Sequence, residues 1–310
     1  MALPETTKQA LEKTFGDRVR FDEPMAAHTS LKIGGPADAL VMPETETELL
    51  YLLRHLAAEG IAWFVLGGGT NLLVADGGVR GVAVDLSKGF GGIEVERRDN
   101  EYVMVRAGGG ARLSALCRYA VANGWAGMLF ATGIPGTVGG AVVMNAGTSR
   151  GDMASVIADL RMAKGPEAIE TVTADRLCFS YRGLKWRDEK VPPVIVSVGL
   201  RLGEEDREVL RREQIRMQQW RKNSQPWGLS AGCFFKNPAG GQPAGQLIER
   251  AGLKGVGIGD AVVSEKHANF ILNRGQATAS DMRRLIETVQ NRVYQAFNVY
   301  LELEVRIIGE

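Results

Sequence analysis

Leu66-Gly67-Gly68-Gly69-Thr70-Asn71-Leu72 is a glycine-rich stretch that begins where a short apolar run ends. A second such stretch opens a segment with helical spacing: Gly133-Ile134-Pro135-Gly136-Thr137-Val138-Gly139-Gly140. Glycines this close together after a strand leave backbone N–H groups open to an anion, because no Cβ is in the way. Thr70 and Asn71 would add side-chain donors, and a helix start adds the positive end of its dipole. We therefore expect the two stretches to bind a pyrophosphate, although either one alone could be a tight turn in a β-rich chain.

Glycine is the one unusual feature of the composition. Of the 310 residues, 39 are glycine, and 21 of these lie between positions 60 and 151. The sequence has no G-x-G-x-x-G pattern and no Gly-Lys dipeptide, so neither a Rossmann site nor a Walker A loop is indicated. With no three-residue period, 45% hydrophobic residues and a net charge of +1, the chain is not collagen, not disordered and not a dedicated nucleic-acid binder. Its length suggests two or three domains.

The compartment is expected to be the cytoplasm. The first residues lack the basic and apolar regions of a secretion signal, and apolar runs such as residues 61–66 are too short to cross a bilayer. The cysteines, Cys117, Cys178 and Cys233, are odd in number, which indicates reduced thiols. Neither they nor the scattered histidines have metal-ligand spacing, so no metal site is expected.

Hydrophobic periodicity predicts a mixed α+β chain. Helices are expected at residues 49–56, 111–123 and 204–223, and after the capping sequence Thr278-x-x-Asp281. Strands are expected at residues 61–66, 82–86, 102–107, 269–273 and 299–308, with a β-rich region at 155–202. On the last strand, alternation places Glu304 and Arg306 on the polar face.

Six motifs in order along nearly the whole chain resemble the UDP-N-acetylenolpyruvoylglucosamine reductase family, in its shorter type without an extra substrate-domain insertion. They are the two glycine-rich stretches and residues 29–35, 179–182, 230–238 and 302–309. The resemblance implies an α+β fold of the vanillyl-alcohol-oxidase (PCMH) FAD-binding type. It implies FAD-binding subdomains at 1–93 and 94–203, and a substrate-binding domain at 204–310 whose terminal strand, 299–308, returns toward the flavin.

The resemblance also implies the cofactors and the reaction. NADPH reduces FAD, and reduced flavin then delivers hydride to C3 of UDP-N-acetylglucosamine enolpyruvate, giving UDP-N-acetylmuramate for peptidoglycan and hence for cell shape and division. The implied FAD-binding residues are Leu66, Gly67, Gly68, Gly69, Thr70, Asn71, Leu72, Gly133, Ile134, Pro135, Gly136, Val138, Gly139, Gly140 and Arg306. The alternatives are another FAD-linked oxidase or dehydrogenase of the same fold that acts on a different substrate, and a non-catalytic nucleotide-sugar-binding protein.

Three residues match the catalytic positions of that family. Arg182 would sit by the substrate carboxylate, Cys233 would supply the proton to C2, and Glu304 would assist beside Arg182. Many relatives carry Ser where this chain has Cys233, yet a thiol is a far stronger acid than a hydroxyl and suits a proton donor. Without the motifs, the Arg would be read as a surface group, the Cys as a buried structural residue and the Glu as part of a solvated face.

The remaining predicted site residues would bind the substrate. They are Tyr181, Arg221, Lys222, Lys236 and Asn237. Arg221 and Lys222 could equally end a charged helix in solvent. His267 matches a family motif without an assigned chemistry, and Thr148-Ser149-Arg150 departs from the Ala-Tyr-Gly that relatives often carry. The expected partners are the enolpyruvyl sugar nucleotide and NADPH, with no nucleic acid, membrane or obligate protein partner indicated.

Overall fold

The computed structural model describes residues 3–185 and 193–310, and the chain divides into two compact units. The first unit comprises residues 1–21, 39–68 and 81–219, and the second comprises residues 22–38, 69–80 and 220–310. The chain therefore enters the second unit three times, and the glycine stretch at 66–72 crosses the division after Gly68.

The described residues form both α-helices and β-strands. The α-helices, α1 to α7, span Glu5–Phe15, Glu46–Ala58, Leu113–Asn123, Val138–Val143, Arg207–Ser224, Ala244–Arg250 and Ala279–Phe297. The first ten strands, β1 to β10, span Val19–Pro24, Pro36–Val41, Trp63–Leu66, Leu72–Val74, Val79–Asp85, Ile93–Arg98, Val103–Gly108, Trp125–Ala126, Gly147–Thr148 and Gly151–Asp152. Strands β11 to β19 span Ile157–Ala163, Ile169–Thr173, Cys178–Ser180, Gly183–Lys185, Val194–Glu204, Gly257–Ile258, Ala261–Val263, Ile271–Asn273 and Arg306–Ile308.

Two larger sheets organise the fold. A mainly antiparallel sheet has the order β12-β11-β15-β7-β6, with β8 pairing beside β15. A four-stranded sheet has the order β1-β2-β5-β3, and β3 and β5 in it are parallel. Helix α2 shows why the local sequence folds as it does: Thr45 caps it by accepting the Glu48 N–H. Its buried face is formed by leucines at helical spacing, Leu49, Leu52, Leu53 and Leu56.

The second unit has its own apolar core around helix α7. Thr278 and Asp281 form the predicted capping box. The Asp76 carboxylate accepts two further N–H groups of this helix start, from Ala279 and Ser280, at 2.8 and 2.9 Å. The buried face of the helix is the predicted one, formed by Met282, Leu285, Ile286, Val289 and Val293.

The predicted terminal strand is too long. Regular pairing covers only β19, which runs parallel to β4. The preceding residues are irregular because the N–H groups of both Glu304 and Val305 point to the carbonyl oxygen of Phe234, at 2.8 and 3.4 Å, which a regular strand does not permit. The other predicted helices and strands are found with slightly different ends. Among the described residues, no helix combines the length and apolarity that a membrane span requires.

Candidate active site

The two glycine-rich stretches meet in the first unit. A Cβ added to Gly67 would lie 2.9 Å from Thr137 Oγ1, closer than side-chain carbons pack. Gly133 and Gly136 have φ of +75° and +115°, which side chains rarely adopt. Glycine is therefore favoured at residue 67 on one side of this contact and at residues 133 and 136 on the other. Residue 67 approaches the Thr137 hydroxyl this closely because it has no Cβ.

Helix α4 begins in the second stretch, but its first N–H groups are already paired. Val138 donates to the carbonyl oxygen of Ala111 at 2.8 Å, Gly139 to that of Gly109 at 2.9 Å, and Gly140 to Thr137 Oγ1 at 3.3 Å. The sequence-based expectation that this helix start offers free donors to an anion is wrong for these three groups. Val138, Gly139 and Gly140 can therefore line a site here without offering these three N–H groups to it.

A third glycine cluster, residues 108–110, has a packing role that requires no ligand. A Cβ on Gly108, Gly109 or Gly110 would lie 2.0 to 2.2 Å from a backbone carbonyl oxygen. These glycines allow the backbone to pack against itself, and Gly109 also accepts from the start of α4. The sequence showed the cluster, but its role depends on close approaches between distant segments.

In the second unit, the first stretch meets the end of the chain. Gly69 has φ of +59°, and a Cβ on it would lie 1.9 Å from the carbonyl oxygen of His28. Asn71 Nδ2 donates to the carbonyl oxygen of Glu304 at 3.0 Å, and Arg306 N–H donates to the carbonyl oxygen of Asn71 at 3.1 Å. Leu72 then pairs with Arg306 in the β4–β19 ladder. The structure thus brings together the predicted Asn71, Leu72, Glu304 and Arg306.

Cys233 lies next to this arrangement. It forms an isolated antiparallel bridge with Phe270, and the carbonyl oxygen of the following residue, Phe234, accepts the Glu304 N–H at 2.8 Å. Phe235 and Leu303 form a second isolated bridge. The backbones that carry the predicted proton donor and the predicted glutamate are therefore neighbours, and both residues are half-buried.

Arg182 occupies a strained turn in the first unit. Tyr181 and Arg182 are the two residues between β13 and β14, whose closing pair is Ser180 and Gly183. Arg182 has φ of +59°, which costs a non-glycine residue about 1 kcal/mol or more. Its Nη1 donates to the carbonyl oxygen of Gly147 at 3.0 Å, and its guanidinium lies 5.1 Å from the Tyr181 ring centre. The half-buried Arg is held in place, while Tyr181 is 55% exposed.

The predicted diphosphate-binding residues Arg221, Lys222, Lys236 and Asn237 lie in the second unit. Lys236 Nζ lies 3.4 Å from Glu302 Oε2. Asn237 Oδ1 accepts the Ala244 N–H at the start of α6, at 3.0 Å, so only its amide nitrogen remains to donate. Arg221 and Lys222 lie in the last turn of α5.

Sequence reasoning missed Asn269, whose side chain pairs with the backbone of Phe235. The available signal was a single amide within the apolar run Ala268, Phe270 and Ile271.

Burial lowers the pKa of the neighbouring His267, and burial raises the pKa of the Cys117 thiol. Cys117 lies on α3, its Sγ accepts from Gln214 Nε2 of α5 at 3.7 Å, and it is inert by this measure.

Two family models match the chain. A family model described as the C-terminal domain of UDP-N-acetylenolpyruvoylglucosamine reductase matches residues 224–308, and one described as an FAD binding domain matches residues 37–170. A UDP-N-acetylenolpyruvoylglucosamine reductase from Desulfosudis oleivorans is 50% identical over 98% of both chains. One from Heliobacterium modesticaldum is 44% identical over 93% of this chain and 90% of its own.

A solved structure extends the match to three dimensions. The crystal structure of the reductase from Thermus caldophilus superposes with a TM-score of 0.77 at 36% identity, over 92% of this chain and 97% of that one. Together with the two domain models, it confirms the predicted α+β class, with an FAD-binding fold followed by the family's C-terminal domain. The chain belongs to the UDP-N-acetylenolpyruvoylglucosamine reductase family.

Proposed function

We propose that this chain is an NADPH-dependent flavoprotein reductase that converts UDP-N-acetylglucosamine enolpyruvate to UDP-N-acetylmuramate. Family membership supports the reaction. The observation that carries it in this chain is the 2.8 Å hydrogen bond from the Glu304 N–H to the carbonyl oxygen of Phe234. This bond fixes the predicted acid beside the residue that follows the predicted proton donor, Cys233.

The residues present fit a flavin dinucleotide. A Cβ on Gly67 would lie 2.9 Å from Thr137 Oγ1, so the absence of a side chain lets the backbone of this stretch lie close to the Thr137 hydroxyl, and backbone amides and hydroxyls suit a pyrophosphate. FAD, when bound, supplies the hydride-transfer chemistry between NADPH and the substrate. We assign its binding to residues 66–72, to the loop and helix start at 133–140, and to Arg306.

Three side chains then serve the substrate. Hydride arriving at C3 leaves negative charge at C2 and on the attached carboxylate. Arg182 offers a planar guanidinium that matches a carboxylate and stabilises this charge. The Cys233 thiol donates its proton to C2 and recovers one from water, because a thiol is a stronger acid than the commoner serine hydroxyl. We assign Glu304 to polarise the substrate carboxyl group or to act there as a general acid.

We assign binding of the sugar nucleotide to the predicted cationic and polar residues. Lys236, Arg221 and Lys222 offer positive charge to the diphosphate, and Asn237 and Tyr181 offer hydrogen bonds. The proposed functional divisions remain residues 1–93 and 94–203 for the flavin and 204–310 for the substrate. Because the cysteines are free thiols, we place the enzyme in the cytoplasm, where it would support cell-wall synthesis, cell shape and division.

Anaerobic mixing of the purified holoenzyme tests this proposal. NADPH should bleach the flavin, and the enolpyruvyl sugar nucleotide should restore its colour with formation of UDP-N-acetylmuramate. Fast reoxidation by oxygen with no response to the sugar nucleotide would instead indicate an oxidase. A protein that takes up no FAD would indicate a non-catalytic nucleotide-sugar-binding protein.

A further inference from the structure

The segment that starts at Cys233 is held along both edges. On one edge, Cys233 bridges to Phe270, and the Phe234 N–H donates to the carbonyl oxygen of Asn269 at 2.9 Å. On the other edge, the carbonyl oxygen of Phe234 accepts the Glu304 N–H. The placement of the thiol therefore depends on the turn that contains Asn269 as well as on the segment that carries Glu304.

The side chain of Asn269 acts as a strand partner for Phe235. Its Oδ1 accepts the Phe235 N–H at 3.0 Å, and its Nδ2 donates to the Phe235 carbonyl oxygen at 2.8 Å. The two bonds fix the orientation of the amide, because the N–H needs an acceptor and the carbonyl needs a donor. Asn269 is 3% exposed, so water cannot replace either bond when one is lost.

A neutral imidazole orients this asparagine. His267 Nδ1 accepts the Asn269 backbone N–H at 3.3 Å, which places the ring proton on Nε2. The ring packs edge-on against Phe270, with 4.9 Å between centroids. The lowered pKa of His267, caused mainly by burial, keeps Nδ1 available as an acceptor. Ser264 Oγ completes the turn by accepting the N–H groups of Lys266 and His267.

We propose that Asn269 is a positioning residue for the protonation step: its amide holds Phe235, and through it the Cys233 thiol, where the proton is delivered to C2. Asn269 itself contacts neither proton nor substrate in this scheme. The inference rests on the proposed function, because only that reaction gives Cys233 a proton to deliver. It gives the His-Ala-Asn motif, including His267, a reason to lie where it does.

Replacement of one atom tests the proposal. Asn269→Asp keeps the acceptor for the Phe235 N–H but replaces the donor with an oxygen that faces a carbonyl oxygen. We expect it to slow flavin reoxidation by the enolpyruvyl substrate about 10- to 100-fold, since small misplacements of a reacting group have effects of that size. Flavin reduction by NADPH should change by less than about two-fold, because no proton from Cys233 is used there.

Asn273→Asp is the matched control. Asn273 is 5% exposed, and its Nδ2 donates to the carbonyl oxygen of Leu31 at 2.9 Å. Its Oδ1 accepts the N–H groups of Gly275 and Ala277. The same atom is changed at a similarly buried asparagine, so general loss of stability should affect both variants, whereas loss of reoxidation should follow Asn269 alone.

A double-mutant cycle separates positioning from a merely structural role. In a Cys233→Ala background, Asn269→Asp should slow the residual reoxidation by less than about two-fold, because the group that it positions is gone. An equal slowing in both backgrounds would overturn the proposal. If Asn269→Asp does not fold, Asn269→Ser enters the same cycle. Failure of both to yield holoenzyme, with Asn273→Asp folded, would also overturn it. Absence of substrate-driven reoxidation in the unaltered enzyme would instead refute the proposed function.

Discussion

Arg182 donates from Nη1 to the carbonyl oxygen of Gly147 at 3.0 Å while its own backbone sits at φ +59°. From this left-handed turn residue, which is not glycine and is anchored by its own side chain, we infer that the guanidinium is needed at that place. Lysine keeps the charge but loses the planar fork that matches a carboxylate.

Arg182→Lys should therefore slow flavin reoxidation by the enolpyruvyl substrate about 100-fold, the size typical of losing one preorganised stabiliser of developing charge. Flavin reduction by NADPH should stay within about two-fold. Arg150→Lys is the control, because Arg150 pairs with Glu213 at 3.2 Å and is largely exposed. Equal losses in both half-reactions would show that Arg182 is needed for the fold of the turn and not for charge stabilisation.

Replacement of Cys233 tests the donor. Cys233→Ala should slow reoxidation about 100- to 10,000-fold, the usual contribution of a general acid, with reduction nearly unchanged. Cys233→Ser should keep part of the activity and move the alkaline limb of the pH–rate profile upward, because a hydroxyl holds its proton to higher pH than a thiol. An alkaline limb that stays in place would mean that another group titrates there.

The two glutamates at the end of the chain give a matched pair. Glu304→Gln should lower the rate of substrate-driven reoxidation about 100-fold, because an amide cannot serve as the general acid that we assign to Glu304. Glu302 is exposed and pairs with Lys236 at 3.4 Å. Glu302→Gln should leave that rate unchanged and, by releasing Lys236 for the diphosphate, lower KM for the sugar nucleotide about two-fold. A larger loss of rate at Glu302 than at Glu304 would reverse the assignment.

One ion pair in the first unit links pH to stability. Arg18 donates to Glu48, with Nη2 and Oε1 2.8 Å apart, and this bond lowers the pKa of Glu48 from 4.5 to about 2. A carboxyl group with a lowered folded-state pKa stabilises above its unfolded value, and that stabilisation is lost as pH falls from 4.5 toward 2.

Glu48→Gln should thus lower the free energy of unfolding by about 1 kcal/mol at pH 7, a value kept small because the pair is partly solvated. The difference from the unaltered protein should shrink below pH 4.5, measured by urea unfolding at matched FAD. A difference that persists undiminished at acid pH would show that the glutamine perturbs packing instead.

How far the sequence could predict the molecule depended on the range of the interactions. Leu49 and Leu52 could be placed on a buried helix face, and Thr278 at a helix start, because both depend on neighbours within a few residues. The glycine stretches could be located, but the paired N–H groups of Val138 and Gly139 could not be foreseen. They depend on carbonyls some 30 residues earlier in the chain.

The terminal segment shows the same limit at the site. The alternation of polar and apolar residues suggested a continuous strand there, because this pattern shows only which residues are apolar. The structure breaks the ladder because Glu304 and Val305 share one acceptor, Phe234. Asn269 was not predicted for a related reason. Its side chain pairs with a backbone group 34 positions away, and a single amide belongs to no repeating sequence pattern that could reveal this pairing.

Gly67 offers a test of the flavin loop that uses binding alone. Gly67→Ala would place a methyl group 2.9 Å from Thr137 Oγ1, so that the Thr137 hydroxyl or one of the two stretches must move. We expect the Kd for FAD to rise about ten-fold or more, corresponding to roughly 1.4 kcal/mol. Gly92→Ala is the control, because a Cβ there meets no atom within 4 Å. Fluorescence titration of the apoprotein with FAD measures both variants, and equal affinities would separate Gly67 from the flavin site and leave it as a packing glycine.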